Sequence, residues 1–413
     1  MDDVCHGHCE FVGADYVQQH LWTNGLLWLV NQHHGRIFAL GVPLPAIENF
    51  HHQSTHAHPM IILSILVFVF LSTWGLTCLI YKKALRHQVF EKPKTVSMHK
   101  DPKSNIGGIG FGSVVLSSAF LWMRGTAAPV NELFLYIFFG TVLLLVGIFD
   151  DVNGIKAIYR LFLQIIISLC FTWVIDHYNL FHMESGGLLT WAYLIFFFGW
   201  VIGMINTYNF MDGIDGMASA QAVLAGIGWA GIGFLTHVEW IIVFSLILSV
   251  AMFAFACFNW HPAKIFMGDS GSTFLGFTFA ILPLYLDLST PTIGARVSLI
   301  AGAMIMWIFI MDPLVTVLKR VYRRENLFSR HYRHLFQRLV LNGKHPHDRV
   351  VSVYMAFTIM GIGFAWRWIL YPTQTLLITF LLISGICYLS LHNYVWAIER
   401  KKGRAKRPLQ NGL

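Results

Sequence analysis

Charged side chains are scarce in this chain. Of its 413 residues only 12% are Asp, Glu, Lys or Arg, whereas a soluble domain usually carries about 25%. Hydrophobic residues make up 56% of the chain, and they are concentrated in runs long enough to cross a lipid bilayer. The composition excludes an ordinary soluble enzyme. It predicts an all-α, polytopic integral membrane protein with about 10–11 transmembrane helices.

Cysteine is also rare, and the first sixty residues lack an apolar run of spanning length. Four of the six cysteines stand singly in predicted helices, so no disulfide framework is expected. No basic region precedes an apolar stretch, so no cleavable signal peptide is expected either. The motif Cys5-His6-Gly7-His8-Cys9 could bind a metal, but a surface-lying terminus is the favoured interpretation. Residues 1–59 are therefore predicted to form a non-cytoplasmic N-terminal extension.

Long apolar segments predict eleven transmembrane helices, of which the eighth is the shortest. They lie at roughly 60–81, 107–124, 132–149, 158–176, 188–206, 217–235, 239–258, 272–286, 296–318, 350–371 and 374–395. Residues 60–395 would form the transmembrane domain, and residues 396–413 a basic cytoplasmic tail.

Basic residues are distributed unevenly about these segments. On one side lie 25 of the 29, and on the other only Arg36, Arg124, Arg296 and Arg367. The positive-inside rule assigns the basic side to the cytoplasm of a multi-pass protein in the inner membrane. The net charge of +8 is then explained by topology and by attraction to anionic lipid headgroups, and no nucleic-acid partner is expected.

Three polar segments interrupt the apolar chain at predicted helix ends, all on the cytoplasmic side. They are Asp150-Asp151, the run NTYNFMDGIDG from Asn206 to Gly216, and FNWHPAKIFMGDSGS from Phe258 to Ser272, and they hold five of the 21 acidic residues. A single carboxylate at a helix end is usually a cap or a solvated loop charge. Capping alone does not explain acids that are clustered with Asn, Gly and Lys, and charges at such positions are usually functional.

The residue types in these segments favour a magnesium site. Asp212 and Asp215 are three positions apart and would share a helix face, while Asn206 and Asn209 add neutral oxygen atoms. Oxygen ligands of this kind suit Mg²⁺, and Mg²⁺ in turn suggests phosphate chemistry.

The remaining residues suggest anion binding. Asp269 begins a predicted helix, where exposed backbone N–H groups suit phosphate. Lys264 could neutralise the charge of that phosphate. Asp150 and Asp151 would point about 100° apart on a helix, so they are expected to meet different partners.

The order and content of the three segments resemble the polyprenyl-phosphate N-acetylhexosamine-1-phosphate transferase family. That family carries an Asp-Asp pair, then N-x-x-N-x-x-D-G-x-D-G, then P-A-x-x-F-M-G-D-x-G-S, and the similarity extends over roughly residues 60 to 350. The resemblance implies transfer of a sugar phosphate from a UDP-sugar to a membrane lipid phosphate, with release of UMP.

The same resemblance implies roles for individual residues. Asp269 would be the principal ligand of Mg²⁺, with Mn²⁺ as a substitute, and Asn209 or Asp212 would assist. Asp150 or Asp151 would prepare the lipid phosphate for attack. The residues expected to bind substrate are Asn206, Asp215, Lys264, Arg330, His331, Arg333 and His334. Expected partners are the UDP-sugar, polyprenyl phosphate and membrane lipids, with a homodimer left open.

The last predicted cytoplasmic loop refines the resemblance. His331 and His334 form an H-x-x-H motif similar to the subgroup that starts O-antigen-type surface polysaccharides, which implies a UDP-N-acetylhexosamine donor and undecaprenyl phosphate as acceptor. An ordinary basic loop contacting headgroups is the alternative. The chain departs from the family pattern at Gly154, where many relatives have a third acid, and before Ser104, where the usual Arg is absent.

Two other classes of function remain open. A secondary transporter also has polar residues at broken helices, but at mid-membrane and often within inverted repeats. No such repeat is evident in this sequence. An inactive membrane scaffold of the same fold is the other alternative, and nucleotide exchange would distinguish both from an enzyme.

Overall fold

A computed structural model describes residues 19–23, 26–31, 36–40, 59–87, 103–125, 130–177, 188–290, 293–326 and 333–405. The chain divides into two units, Met1–His58 and Pro59–Leu413. The motif from Cys5 to Cys9 lies outside the described residues, so a metal there stays a prediction.

The first unit contains a small antiparallel sheet that the sequence analysis did not foresee. Its strands, in spatial order, are β1 (Gln19–Thr23), β2 (Leu26–Asn31) and β3 (Arg36–Leu40). Trp22 pairs with Leu27, and Val30 with Ile37. Each strand has only five or six residues, so the alternation of apolar and polar positions is too short to be a strong signal.

The regular secondary structure described in the second unit is entirely helical, apart from one isolated β-bridge. The helices are α1 (Pro59–His87), α2 (Gly108–Gly125), α3 (Val130–Asn153), α4 (Ala157–His177), α5 (Leu188–Met211), α6 (Met217–Leu235), α7 (Glu239–Asn259), α8 (Gly268–Ser289), α9 (Ala295–Ile305), α10 (Trp307–Tyr322), α11 (Leu335–Leu341), α12 (His347–Leu370) and α13 (Gln374–Ala405). The prediction of an all-α polytopic membrane fold is confirmed for this unit.

Within the described residues, eight helices are long and apolar enough to cross a membrane. A ninth span results if α9 and α10, which meet at a bend of 80°, are counted together. The two remaining predicted spans correspond to α2 and α4, whose apolar portions are shorter. Every predicted segment is therefore a helix, but two are too short to pass as spans by length and composition.

Helix α8 is the centre of the bundle. Of its most apolar stretch 94% is buried, compared with 17% for α1 and α13. It packs against α3, α5 and α9, and Gly147 on α3 lets the backbones approach closely, since a Cβ there would collide with Ser270. Because protein surrounds α8 on every side, this helix can carry polar residues that lipid would not tolerate.

The bend between α9 and α10 is supported by a buried polar pair. Gln221 on α6 donates its amide towards the Ile305 carbonyl, at 3.5 Å, and accepts a 2.6 Å hydrogen bond from Thr358. A helix that breaks inside a membrane needs such replacements for its lost backbone hydrogen bonds.

Candidate active site at the helix ends

The first turn of α8 is held by Asp151, near the end of α3. The two carboxylate oxygens accept hydrogen bonds from the backbone N–H groups of Asp269, at 2.8 Å, and Ser270, at 3.1 Å. The Ser270 hydroxyl donates a third, at 2.6 Å. A carboxylate at a helix N-terminus satisfies exposed N–H groups and interacts favourably with the helix dipole. Asp151 thus fixes the position of Asp269.

Gly268 makes this approach feasible. Its φ of +71° lies in the left-handed region, and a Cβ at this position would collide with the Asp151 carboxylate and the Asn105 carbonyl. The loop before α2 runs alongside it, with the Gly108 N–H donating to the Met267 carbonyl at 2.9 Å. The glycine of the G-D-S-G-S motif is therefore required both by backbone conformation and by space.

Arg160 links the other two carboxylates of this region. It lies in the first turn of α4, and its Nη1 contacts both the Asp150 carboxylate, at 2.8 Å, and the Asp269 carboxylate. Asp150 is buried, whereas Arg160 and Asp269 are partly exposed. The adjacent acids of α3 therefore meet different partners, as their angular separation predicts: Asp150 meets a guanidinium, and Asp151 meets a helix end.

Asn209 and Asp212 complete this carboxylate cluster, which we define as Asp150, Asp151, Asn209, Asp212 and Asp269 together with Arg160. The Asn209 amide donates to the Asp269 carboxylate and, at 2.8 Å, to the Ser272 hydroxyl. Burial raises the pKa of the Asp212 carboxyl to about 8, and the negative charge of Asp269 adds to the shift. The cluster thus brings four carboxyl groups and one guanidinium together.

Two of the predicted substrate-binding residues do not contact this cluster. Asn206 donates its amide to Gln164 on α4 and to the Ile202 carbonyl, both at 2.8 Å, so it joins two helices. The Lys264 side chain is exposed and shows no ion pair with any residue of the described ranges.

Asp215 lies in a separate group of residues from four segments. Its Oδ2 atom is 2.8 Å from His261 Nδ1, 3.5 Å from His347 Nδ1 and 3.9 Å from Lys103 Nζ. The Ala263 N–H donates to the same oxygen at 3.1 Å. Burial alone would raise the pKa of Asp215, but these hydrogen bonds and the lysine charge together hold it well below its ordinary range.

The H-x-x-H loop is anchored by a fully buried carboxylate on α10. Asp312 accepts hydrogen bonds from the backbone N–H groups of Leu335, at 2.9 Å, and Phe336, at 3.4 Å, and from the Tyr354 hydroxyl, at 2.8 Å. His334 is buried beside it, with Nδ1 3.6 Å from the carboxylate. Asp312 therefore caps the short helix α11.

Two residues that follow the start of this loop, His334 and Phe336, contact the segment Asn206 to Gly216. His334 packs against Phe210, with ring centroids 6.1 Å apart, and Phe336 lies against Gly213. Arg333 is exposed and pairs with Glu325. Arg330 and His331 lie outside the described residues, so their roles stay predictions.

Several residues of the site were missed by sequence reasoning. The residues expected to form the site did not include Arg160, Lys103, His261 or His347. Arg160 had a usable signal, because a guanidinium in the first turn of an apolar helix needs a nearby carboxylate. The two histidines had none, since their positions are 86 residues apart and only the fold brings their rings within 4.7 Å.

Comparison with known proteins gives a consistent result. The sequence pattern of glycosyl transferase family 4 matches residues 133–287. A phospho-N-acetylmuramoyl-pentapeptide-transferase of Staphylococcus epidermidis is 30% identical over 48% of this chain and 67% of its own length.

Two further relatives cover more of the chain at lower identity. A probable undecaprenyl-phosphate N-acetylglucosaminyl 1-phosphate transferase of Bacillus subtilis is 23% identical over 70% of this chain and 80% of its own length. A decaprenyl-phosphate N-acetylglucosaminephosphotransferase of Mycobacterium leprae is 25% identical over 71% and 80%. These similarities confirm the resemblance based on the three motifs: the chain belongs to glycosyl transferase family 4.

Proposed function

We propose that this protein transfers an N-acetylhexosamine 1-phosphate from a UDP-sugar to polyprenyl phosphate, with undecaprenyl phosphate as the acceptor, and releases UMP. The carrying observation is the carboxylate cluster, in which Asp269 stands on a helix end fixed by Asp151 and beside Arg160. Family membership supports the same reaction class, because relatives with this activity in their names match most of the chain.

The residues of the cluster fit a bound Mg²⁺ ion. Carboxylate and amide oxygens are the ligands Mg²⁺ prefers, and Asp269, Asp212 and Asn209 would hold it. Burial, with the negative charge of Asp269 as a smaller cause, raises the pKa of Asp212, and a bound divalent cation would favour its ionised form. A cation held by these residues would supply positive charge that stabilises the donor diphosphate and the departing UMP. Mn²⁺ would serve as a substitute.

The protein's own residues would orient the two phosphates. Asp150 holds Arg160 in place, and within the described part of the chain this guanidinium contacts the two carboxylates through Nη1. Its other N–H groups can donate to a phosphate oxygen in the charge-assisted manner typical of arginine. The lipid phosphate is already largely ionised near pH 7, since a phosphomonoester has a second pKa of about 6. Asp150 therefore acts by positioning, and no general base is needed.

The donor would enter from the cytoplasmic side of the inner membrane. The motivation is the partition of basic residues, with 25 of 29 on the side of the three motifs, and the cytoplasmic origin of a nucleotide sugar. The H-x-x-H loop lies against the second motif through His334 and Phe336, which supports a role of this loop at the donor. The product would start a lipid-linked surface glycan of the O-antigen type.

A nucleotide-exchange assay tests the proposal. Purified protein in detergent would receive polyprenyl phosphate, labelled UMP and one of several donors: UDP-N-acetylglucosamine, UDP-N-acetylgalactosamine or UDP-muramoyl-pentapeptide. We expect label to enter an N-acetylhexosamine donor, to require Mg²⁺ or Mn²⁺, and to stop when the metal is chelated. Transfer into the pentapeptide donor would refute the donor class, and no exchange with any donor would favour a transporter or an inactive scaffold.

A further inference from the structure

A cluster of one aspartate and two histidines lies outside the carboxylate cluster and shares no residue with it. Asp215 comes from the loop between α5 and α6, His261 from the loop between α7 and α8, and His347 from the start of α12. Each of the three offers one ligand atom, and these atoms all lie within 4.8 Å of one another.

The geometry needs little adjustment to hold a metal ion. The two Nδ1 atoms lie 2.8 and 3.5 Å from the same carboxylate oxygen. A tetrahedral ion with bonds of about 2.0–2.2 Å requires ligand atoms about 3.4 Å apart. The Asp215 N–H points at His347 Nδ1 at 3.3 Å. Because a neutral imidazole has one acceptor nitrogen with one lone pair, a bound ion would replace this contact.

Burial and exposure are distributed as an accessible metal site requires. The side chains of Asp215 and His347 are 5% and 11% exposed, which fixes two ligands, whereas that of His261 is 39% exposed and provides a path for the ion. One cation competes for the site: Lys103 Nζ is 3.9 Å from the same oxygen. That lysine also lies 5.2 Å from the Phe266 ring centroid, an alternative partner for its charge.

We propose that Asp215, His261 and His347 bind one divalent transition-metal ion of the Zn²⁺ class, at a site separate from the Mg²⁺ cluster. Two imidazoles and one carboxylate suit Zn²⁺ and its neighbours, whereas Mg²⁺ prefers oxygen ligands alone. Bound metal would join three chain segments that are otherwise held by hydrogen bonds. The proposal does not depend on the transferase reaction, and its test measures metal directly.

The test uses Co²⁺, whose visible spectrum reports a site with nitrogen ligands. Full-length protein without a histidine tag would carry Cys5→Ser and Cys9→Ser, because the N-terminal Cys-His motif could also bind metal. After chelation, the protein would be exchanged into buffer with excess Mg²⁺ to occupy the carboxylate cluster, and Co²⁺ would be titrated and then displaced with Zn²⁺. We expect one equivalent to bind, and Zn²⁺ to raise the midpoint of thermal unfolding because it binds the folded state.

Four variants decide the assignment. His261→Gln and His347→Gln should weaken binding about a hundredfold or more, because each removes a metal ligand. His261 is partly exposed, so its variant should fold even if His347→Gln does not. His345→Gln is the matched control, since that ring contacts Tyr394 instead, and its affinity should match the parent. Lys103→Gln should bind severalfold more tightly, because it removes a competing positive charge.

Three results would overturn the proposal. They are the absence of a bound equivalent at micromolar Co²⁺, a His261→Gln variant that binds as the parent does, or weaker binding by Lys103→Gln. Asp269→Asn serves as a separate check, because its Co²⁺ spectrum and affinity should match those of the parent. A spectrum lost in that variant would place the metal in the carboxylate cluster and refute the separate site.

Discussion

Asp151 and Asp312 do the same physical work at two different places. Each carboxylate accepts two consecutive backbone N–H groups at the start of a helix and a short hydrogen bond from a side-chain hydroxyl, that of Ser270 or Tyr354. Asp312 also accepts a longer one, at 3.4 Å, from Thr316. One holds α8, which carries Asp269, and the other holds α11, which follows the H-x-x-H motif. An acidic residue at the end of a membrane helix thus need not act on substrate, since it can instead fix the start of a neighbouring helix.

The largest expected effect is on turnover, and it concerns Asp269, whose backbone is capped by Asp151. Asp269→Asn should lower turnover by about several hundredfold, because it removes a charge meant for the metal and for Arg160. The Asp151 cap does not involve this side chain, so the thermal midpoint should stay within a few degrees of the parent. Steady-state transfer and differential scanning fluorimetry would measure the two. Near-normal turnover would show that Asp269 is not a metal ligand.

The next effect concerns the close approach that the Asp151 cap requires. Gly268→Ala should destabilise the protein by about 3 kcal/mol or more. An alanine there would be strained by the left-handed backbone conformation, and its Cβ would also collide with the Asp151 carboxylate. Gly154→Ala is the matched control: its φ is +72°, but nothing lies within 4 Å of a Cβ there. That control should lose only about 1–2 kcal/mol. Equal losses in thermal unfolding would show that crowding at Gly268 is unimportant.

A third experiment compares the two caps directly. In Asp151→Asn and Asp312→Asn an amide N–H₂ group would face a backbone donor, which should cost about 1–3 kcal/mol in each. Transfer activity should fall much further in Asp151→Asn, because α8 carries Asp269. If Asp151→Asn loses activity but no stability, the carboxylate acts on substrate, as the sequence interpretation held, and the capping account is wrong.

The smallest expected effect comes from the two hydroxyl groups. Ser270→Ala and Tyr354→Phe each remove one hydrogen bond to a capping carboxylate, worth about 1 kcal/mol. Both should lower the unfolding midpoint slightly, and only Ser270→Ala should also reduce turnover. Tyr322→Phe is the control, since Tyr322 is 89% exposed and its replacement should change neither quantity. If Tyr354→Phe lost more turnover than Ser270→Ala, the cap at α11 would matter more for activity than the cap at α8, contrary to this account.

Much of the fold was accessible from sequence because membrane helices obey a local rule. Each apolar run must satisfy its own backbone hydrogen bonds in lipid, so hydropathy locates the helices without knowledge of their neighbours. The three motifs contain Asp150, Asp269 and Asn209, and the fold brings these residues together through Arg160 and the Asn209 amide.

Other assignments could not be made from sequence. Nothing in the spacing of Asn206 indicates that its amide turns to Gln164 and away from the cluster. Nothing in the sequence around Asp215 indicates two histidines from distant loops. These partners depend on which segments the bundle brings together, and hydropathy carries no information about that choice.

The sequence by itself determined where the membrane helices lie, which family the motifs indicate and which residue types gather at the helix ends. The tertiary structure decided the task of each carboxylate. Asp151 and Ser270 are 119 positions apart. Asp151 can therefore cap the helix that begins near Ser270 only after α3 and α8 have packed together. A carboxylate has the same charge wherever it stands, but the donors that surround it decide whether it caps a helix or remains available to a cation.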